Sequence, residues 1–173
     1  MKNKPTIILL NWPCWIWKST IAKKLYEKME YSLLWDKDSQ RRNISHYKDT
    51  PEHKKESARM VFEMTKKMML FCIENWSDMI FDGIIYQEAV MRDMIDFVKN
   101  HWWDLVHVHL TASKEIWEER IEKRGISWSL TIEKARFFYE NMTKIPKELF
   151  SVEIDTSNKD EATVCKEIEN FLA

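Results

Sequence analysis

Glycine is nearly absent: Gly83 and Gly125 are the two glycines in 173 residues, where average usage of about 7% would give roughly a dozen. Few turns or helix ends can therefore draw on a residue without a Cβ. The three cysteines, Cys14, Cys72 and Cys165, are odd in number, widely spaced and without a C-x-x-C pair. That excludes a disulfide framework and reads as reduced thiols. No apolar run approaches the roughly 18 residues that span a bilayer, so a soluble protein is expected. Lys2 and Lys4 precede an apolar stretch as in a secretory leader, but Asn11 and Pro13 interrupt it and no small-residue cleavage site follows. A cytoplasmic location is the expectation. The net charge of −1, with acids and bases interspersed, removes the polyelectrolyte signature of a nucleic-acid binder. Arg41-Arg42 is too small a basic cluster to restore it. With no repeat, linker or low-complexity tract, residues 1–173 are expected to form a single domain.

What is over-represented is tryptophan, with nine copies, and most stand where glycine makes better sense. Trp76 in Glu-Asn-Trp-Ser-Asp and Trp102-Trp103 in Asn-His-Trp-Trp-Asp each lie between an expected helix and an expected strand, the usual place of a helix-ending glycine. Trp128 lies within a loop pattern. Trp12 and Trp17 fall on the two glycine positions of G-x-x-x-x-G-K-[ST] in Trp12-Pro13-Cys14-Trp15-Ile16-Trp17-Lys18-Ser19-Thr20. That motif curls bare backbone N–H groups around phosphates, with Lys on the β/γ-phosphates and the hydroxyl on Mg²⁺. Three readings stay open. The codon UGA is glycine in one variant genetic code and tryptophan in another, so a misread gene would give this pattern. Deliberate Gly→Trp substitution would look the same. In the third reading the tryptophans are core aromatics, as Trp35 and Trp117 (mid-helix, four residues before Ile121) suit on pattern alone.

Short apolar runs alternate with helical periodicity, the pattern of a parallel sheet covered on both faces. Strands are expected at Thr6–Asn11, Tyr31–Trp35, Met79–Asp82, Leu105–Leu110 and Ser151–Ile154. Helices are expected at Lys18–Met29, about Glu56–Asn75, Gln87–Asn100, Lys114–Lys123, Ile132–Met142 and Asp160–Leu172. Periodicity lapses over Lys37–Lys55 and Gly125–Thr131, both on the carboxyl side of the strands, where functional loops gather in such sheets.

Several residues in this frame could carry chemistry. Ile7–Leu10 followed by Lys18-Ser19-Thr20 has the strand–loop–helix context of a phosphate loop; an ordinary capped helix start is the plainer reading. Asp36 and Asp38, at i and i+2 in an expected extended segment, would face one side and suit a metal or a base; a solvated turn is the alternative. Asp82 ends an apolar strand, as a Mg²⁺-holding carboxylate does, or starts a turn with Gly83. Arg120 and Arg124 share a helix face and point toward the Gly125 loop, where guanidinium groups could stabilise a transferring phosphoryl; pairing with Glu118, Glu119 and Glu122 is the alternative. His107 and His109 share a strand face, and without accompanying Cys or acids a core role is expected. Met60, Met64, Met68 and Met69 read as core or as a soft substrate-facing wall.

These residues, taken along the whole chain, resemble the small P-loop kinases, the group of shikimate and gluconate kinases, adenylyl-sulfate kinase, chloramphenicol phosphotransferase and the zeta-toxin kinases. The likeness rests on residues 12–20, Asp-Lys-Asp-Ser-Gln-Arg at 36–41, Ile-Phe-Asp-Gly at 80–83, Arg-Ile-Glu-Lys-Arg-Gly at 120–125 and Asp-Thr-Ser-Asn at 155–158. It implies an α/β three-layer P-loop nucleoside-triphosphate-hydrolase fold: a five-stranded parallel sheet in order 2-3-1-4-5, a lid at about 124–131 and an acceptor-side segment at about 37–55. ATP and Mg²⁺ would be the cofactors and a small-molecule hydroxyl the acceptor, in a monomer or homodimer. By this likeness Lys18 stabilises the transferring phosphoryl, Ser19 with Asp82 places Mg²⁺, and Asp38 is the acceptor base. Arg41 or Arg42 anchors the acceptor, Arg120 with Arg124 closes over ATP, and Asn158 lies in the loop touching adenine. The departure is Trp12, Trp15 and Trp17, which puts nucleotide binding by the literal chain in question. Two further readings stand beside this one: a non-catalytic P-loop-fold binding protein, and a nucleotide or polynucleotide kinase. The adenylate-kinase pattern Asp-Gly-Phe-Pro-Arg is absent, since Ile84-Ile85-Tyr86 follow Gly83.

Overall fold

A computed structural model describes residues 4–13, 18–44, 50–124 and 131–172, with the side chains of Lys18 and Arg124 outside the description. Five parallel strands form one sheet in the order β2-β3-β1-β4-β5: β1 Thr6–Asn11, β2 Ser32–Asp36, β3 Asp78–Asp82, β4 Asp104–Thr111 and β5 Val152–Asp155. Strand β1 is central and pairs with β3 and β4. Its sequence Thr-Ile-Ile-Leu-Leu-Asn is buried throughout, as a strand covered on both faces requires, and this explains its continuous apolar run. Period-two alternation divides it between two cores. Ile8 and Leu10 join Ile21, Leu25, Trp117 and Ile168, whereas Ile7 and Leu9 join Met69, Phe81, Met91 and Val98.

Helices α1 Lys18–Lys28 and α7 Glu161–Leu172 cover the first face; α3 Pro51–Glu74 and α4 Glu88–Asn100 cover the second. α5 Lys114–Arg124 and α6 Ile132–Met142 lie between β4 and β5 in sequence. All five expected strands form, with edges shifted by a residue at most. Two helical expectations need correction. Residues Lys37–Arg42 form a short helix, α2, where no element was expected; none of its residues is buried, so it leaves no apolar period to read. α3 begins at Pro51, not about Glu56, because Thr50 caps it by accepting from the His53 N–H and Pro51 fits the first helical turn.

Two helix ends bear on the tryptophan question. After α3, Trp76 adopts φ 54°, its N–H donates to Ile73 O and the Ser77 N–H to Cys72 O. After α4, Trp102 adopts φ 62°, its N–H donates to Lys99 O and the Trp103 N–H to Val98 O. Both are the paired-bond left-handed cap that usually carries glycine. An L-residue there brings its Cβ close to the following carbonyl, at about 1–2 kcal/mol. By contrast, Trp35 and Trp117 are core residues: Trp35 Nε1 donates to Thr65 Oγ1 and Trp117 stacks on Tyr139 at 4.6 Å. Trp12 is also fully buried, in the cluster with Ile21, Ala22 and Trp117, but its indole N–H has no hydrogen-bond partner among the described residues. Trp15, Trp17 and Trp128 lie outside the described residues.

Candidate active site at the carboxyl edge of the sheet

The carboxyl ends of β1, β2 and β3 bring Asn11, Asp36 and Asp82 to one edge, with Leu10 opposite Asp82 and Asp36 opposite Asp82 in the ladders. α1 starts at Lys18 on the same side of β1, with Ser19 and Thr20 exposed in its first turn. The first N–H groups of a helix lack intrahelical acceptors and carry the positive end of its dipole, so this turn favours an anion. The expected phosphate-loop residues Cys14, Trp15, Ile16 and Trp17 lie outside the described residues. Pro13 is buried, directly after Trp12.

The two acids after β2 differ sharply. Asp36 is the N-cap of α2: Oδ1 accepts from the Asp38 N–H at 2.9 Å and the Ser39 N–H at 3.2 Å, and Oδ2 accepts from Ser39 Oγ. Arg42 Nη2 donates to Ser39 Oγ at 2.8 Å and lies 3.9 Å from Asp36 Oδ2. The expectation of an extended Asp36–Asp38 segment is therefore corrected, because a helix starts between them. Asp38 sits in the first turn, and among the described residues nothing hydrogen-bonds or ion-pairs with its carboxylate. Arg41 is half-buried on α2 and Arg42 exposed.

Asp82 is buried at the end of β3. Gly83 follows where a Cβ would lie 2.6 Å from the Phe81 ring and 3.1 Å from Lys37 Cβ, so the close approach demands glycine. Asn11, expected from sequence to end the first strand and to interrupt the apolar stretch, also anchors the chain beyond Gly83. Its Nδ2 donates to Ile85 O at 2.8 Å, and its Oδ1 accepts from the Ile85 N–H at 2.9 Å and the Trp12 N–H at 3.1 Å. Lys37 Nζ donates to Ile84 O at 2.6 Å. A buried amide ending an apolar strand was the available signal, since such a group needs partners.

A serine hydroxyl and a carboxylate are hard oxygen donors of the kind Mg²⁺ prefers, and water and phosphate oxygens usually complete its shell. Ser19 and Asp82 fit that donor chemistry. Among the described residues no cluster of three or more His, Cys, Asp or Glu could form an all-protein metal cage.

On the β4–β5 side, Arg120 Nη1 donates to Thr156 Oγ1 at 3.0 Å and Nη2 to Thr156 O at 2.7 Å. Glu119 pairs with Lys123 and Glu118 with Arg136. Asn158 is exposed two residues beyond Thr156, while Arg124's side chain and the Gly125 loop lie outside the described residues. His107 and His109 are buried on β4, as expected. His107 Nδ1 donates to Leu149 O at 2.8 Å, and His109 stacks flat on Phe150 at 3.9 Å. Nε2 of His107 and Nδ1 of His109 have no hydrogen-bond partner among the described residues. Burial pushes His107 down to about 4; burial, then His107 and Lys147, push His109 down to about 3. Both are neutral core groups. Of the methionines, Met69 is buried whereas Met60 and Met64 are exposed on α3.

The sheet order β2-β3-β1-β4-β5, with α1 following the central β1, is that of the P-loop nucleoside-triphosphate-hydrolase fold. Solved structures with this fold align along nearly the whole chain. The tunicamycin resistance protein of Deinococcus radiodurans is 18% identical at TM-score 0.72, covering 99% of this chain and 96% of its own. A gluconokinase from Sinorhizobium meliloti is 13% identical at TM-score 0.70, covering 97% and 91%. A sugar kinase from Janibacter sp. is 13% identical at TM-score 0.66, covering 98% and 94%. At such identities the likeness is one of fold. No protein-family model matches the chain, and no curated protein matches it in sequence. Among the described residues no helix is long and apolar enough to cross a membrane.

Proposed function

We propose that this chain, with glycine at positions 12, 15 and 17, is an ATP-dependent phosphotransferase that moves a γ-phosphoryl group to the hydroxyl of a small molecule. The observation that carries the reading is α1 opening with Lys18-Ser19-Thr20 after the central β1, on the side of the sheet where β2 and β3 end in Asp36 and Asp82 and α2 begins. Solved kinases sharing this architecture support it. Lys18 would neutralise charge on the transferring group, and the α1 N-terminus would hold the phosphates. Ser19 and Asp82 would hold Mg²⁺, which supplies charge neutralisation across the phosphate oxygens when bound. Asp38 would accept the acceptor's proton, Arg41 or Arg42 would hold the acceptor, and Arg124 would close on the nucleotide.

Thermal shift with Mg-ATP on a W12G/W15G/W17G chain tests the reading. ATP at 100 times its Kd should stabilise the protein by about 2.7 kcal/mol, and no shift would defeat the proposal. The chain as written should not respond. An indole at 17 would occupy the β-phosphate approach, and several charge-assisted bonds of about 1.5–3 kcal/mol each would go unmade. A micromolar complex holds only about 8 kcal/mol. One observation favours a second reading for the literal chain, a non-catalytic binding module: the Trp12 indole is built into the core. Tight Mg-ATP binding by the unaltered protein would refute both the loop argument and this second reading.

A further inference from the structure

The β1–β3 ladder runs out at Leu10 opposite Asp82, and beyond it one side chain takes over the pairing. Asn11 is 1% exposed. Its Nδ2 donates to Ile85 O at 2.8 Å and its Oδ1 accepts from the Ile85 N–H at 2.9 Å, so the carboxamide engages both polar backbone groups of one residue. The same Oδ1 accepts from the Trp12 N–H at 3.1 Å, at the first position of the phosphate-loop motif. Ile85 lies three residues past Asp82, and Ile84 between them is held at its carbonyl by Lys37 Nζ at 2.6 Å. Only a carboxamide offers a donor and an acceptor side by side for such a clamp; a leucine of similar size offers neither.

Resting on the phosphotransferase reading, we infer that Asn11 is a positioning residue that sets the start of the phosphate loop against the chain leaving Asp82. Ser19, at the far end of that loop, and Asp82 are the oxygen donors suited to Mg²⁺. That ion tolerates little departure from octahedral geometry at about 2.0–2.1 Å. Phosphates alone are held by Lys18 and the N–H groups opening α1, with no part for Asp82. Loss of the clamp therefore weakens the metal-dependent share of nucleotide binding and spares the rest.

The full chain carrying glycine at 12, 15 and 17 tests this by calorimetry with ATP, once in Mg²⁺ and once in EDTA. In Asn11→Leu and Asn11→Ser the Kd for Mg-ATP should rise about tenfold, which is about 1.4 kcal/mol. ATP in EDTA should bind within about twofold of the parent. Hydrogen exchange on the nucleotide-free variants reads the clamp itself. The Ile85 amide should speed up at least about tenfold more than the Leu9 amide of β1, because a buried donor has lost its acceptor. If Asn11→Leu fails to fold, Asn11→Ser, which adds neither charge nor bulk and is too short to reach Ile85, carries all three measurements. Equal weakening with and without the metal would reduce Asn11 to a structural support and overturn the inference. So would Mg-ATP binding at parent strength, or an Ile85 amide as protected as the parent's, whatever the melting temperatures do. If the glycine-bearing parent itself binds no Mg-ATP, the kinase reading falls and takes this inference with it.

Discussion

Replacing Trp102 by glycine should make the protein more stable, an unusual outcome for deleting an indole. Trp102 holds φ 62° in the cap after α4 and is 86% exposed. It therefore buries little apolar area that its removal would forfeit. Relief of the left-handed conformation is worth about 1–2 kcal/mol. Glycine's extra freedom in the unfolded chain takes back about 0.5–1 kcal/mol. The net gain is about 0–1.5 kcal/mol, or up to roughly 6 °C in melting temperature for a chain of this length. Trp76, at φ 54°, meets Trp103 edge-on at 5.7 Å; losing that contact offsets about 0.5–1.5 kcal/mol, so W76G should be near neutral. Two controls isolate the cause. Trp102→Ala removes the indole but keeps the Cβ, and should gain clearly less than W102G. Trp117→Ala, in the core, should lose about 3–5 kcal/mol. Urea unfolding at pH 7 reads all four variants. If Trp102→Ala equals Trp102→Gly, or if both destabilise, the argument from backbone conformation is wrong.

Three further outcomes are expected. Asp38→Asn in the glycine-bearing chain should lower kcat on an identified acceptor by about 10²–10⁴-fold with ATP affinity kept; Asp36→Asn should instead show a weakened α2 cap, and full turnover by the Asp38 variant would move the base elsewhere. Gly83→Ala should cost about 1–3 kcal/mol in urea unfolding, because its Cβ would overlap the Phe81 ring; a neutral result would mean that ring moves freely. His107 and His109 should make stability acid-sensitive. Their folded values, about 4 and about 3, lie below the usual 6.5, so the unfolded chain binds protons first and stability falls as pH drops below about 6.5. By pH 5 each should cost about 2 kcal/mol, a slope that urea midpoints at pH 7 and pH 5 would reveal and that His109→Phe should roughly halve.

The strands were readable because burial on both faces writes itself into β1 and β3 as unbroken apolar runs. α2 was not, because a six-residue helix with no buried side chain has only a cap to announce it, and Asp36 served equally as a candidate metal ligand. Sequence placed Asp36 and Asp38 together; the cap geometry then set them apart, since only one of the two is consumed by its own backbone. Arg120 could be assigned to a helix face but not to Thr156, a partner 36 positions away that only the sheet brings near. The glycine-like role of Trp76 and Trp102 was legible from their place between helix and strand, and their left-handed backbone agrees with it. Trp12 showed the opposite: a phosphate-loop position by motif, a core position by packing.

The central place of β1 has a consequence for how the chain is made. It leaves the ribosome before either of the two neighbours it needs, and β3 lies roughly 70 residues behind it, several seconds of synthesis at about 5–20 residues per second. Until then Thr6–Asn11 is an unpaired segment of six residues, apolar and uncharged, the composition that self-associates most readily. Nascent chains of this protein should therefore depend on a holding chaperone until β3 has emerged, and neutralising the flanking Lys2 and Lys4 should deepen that dependence, as loss of charged flanks does beside apolar strands.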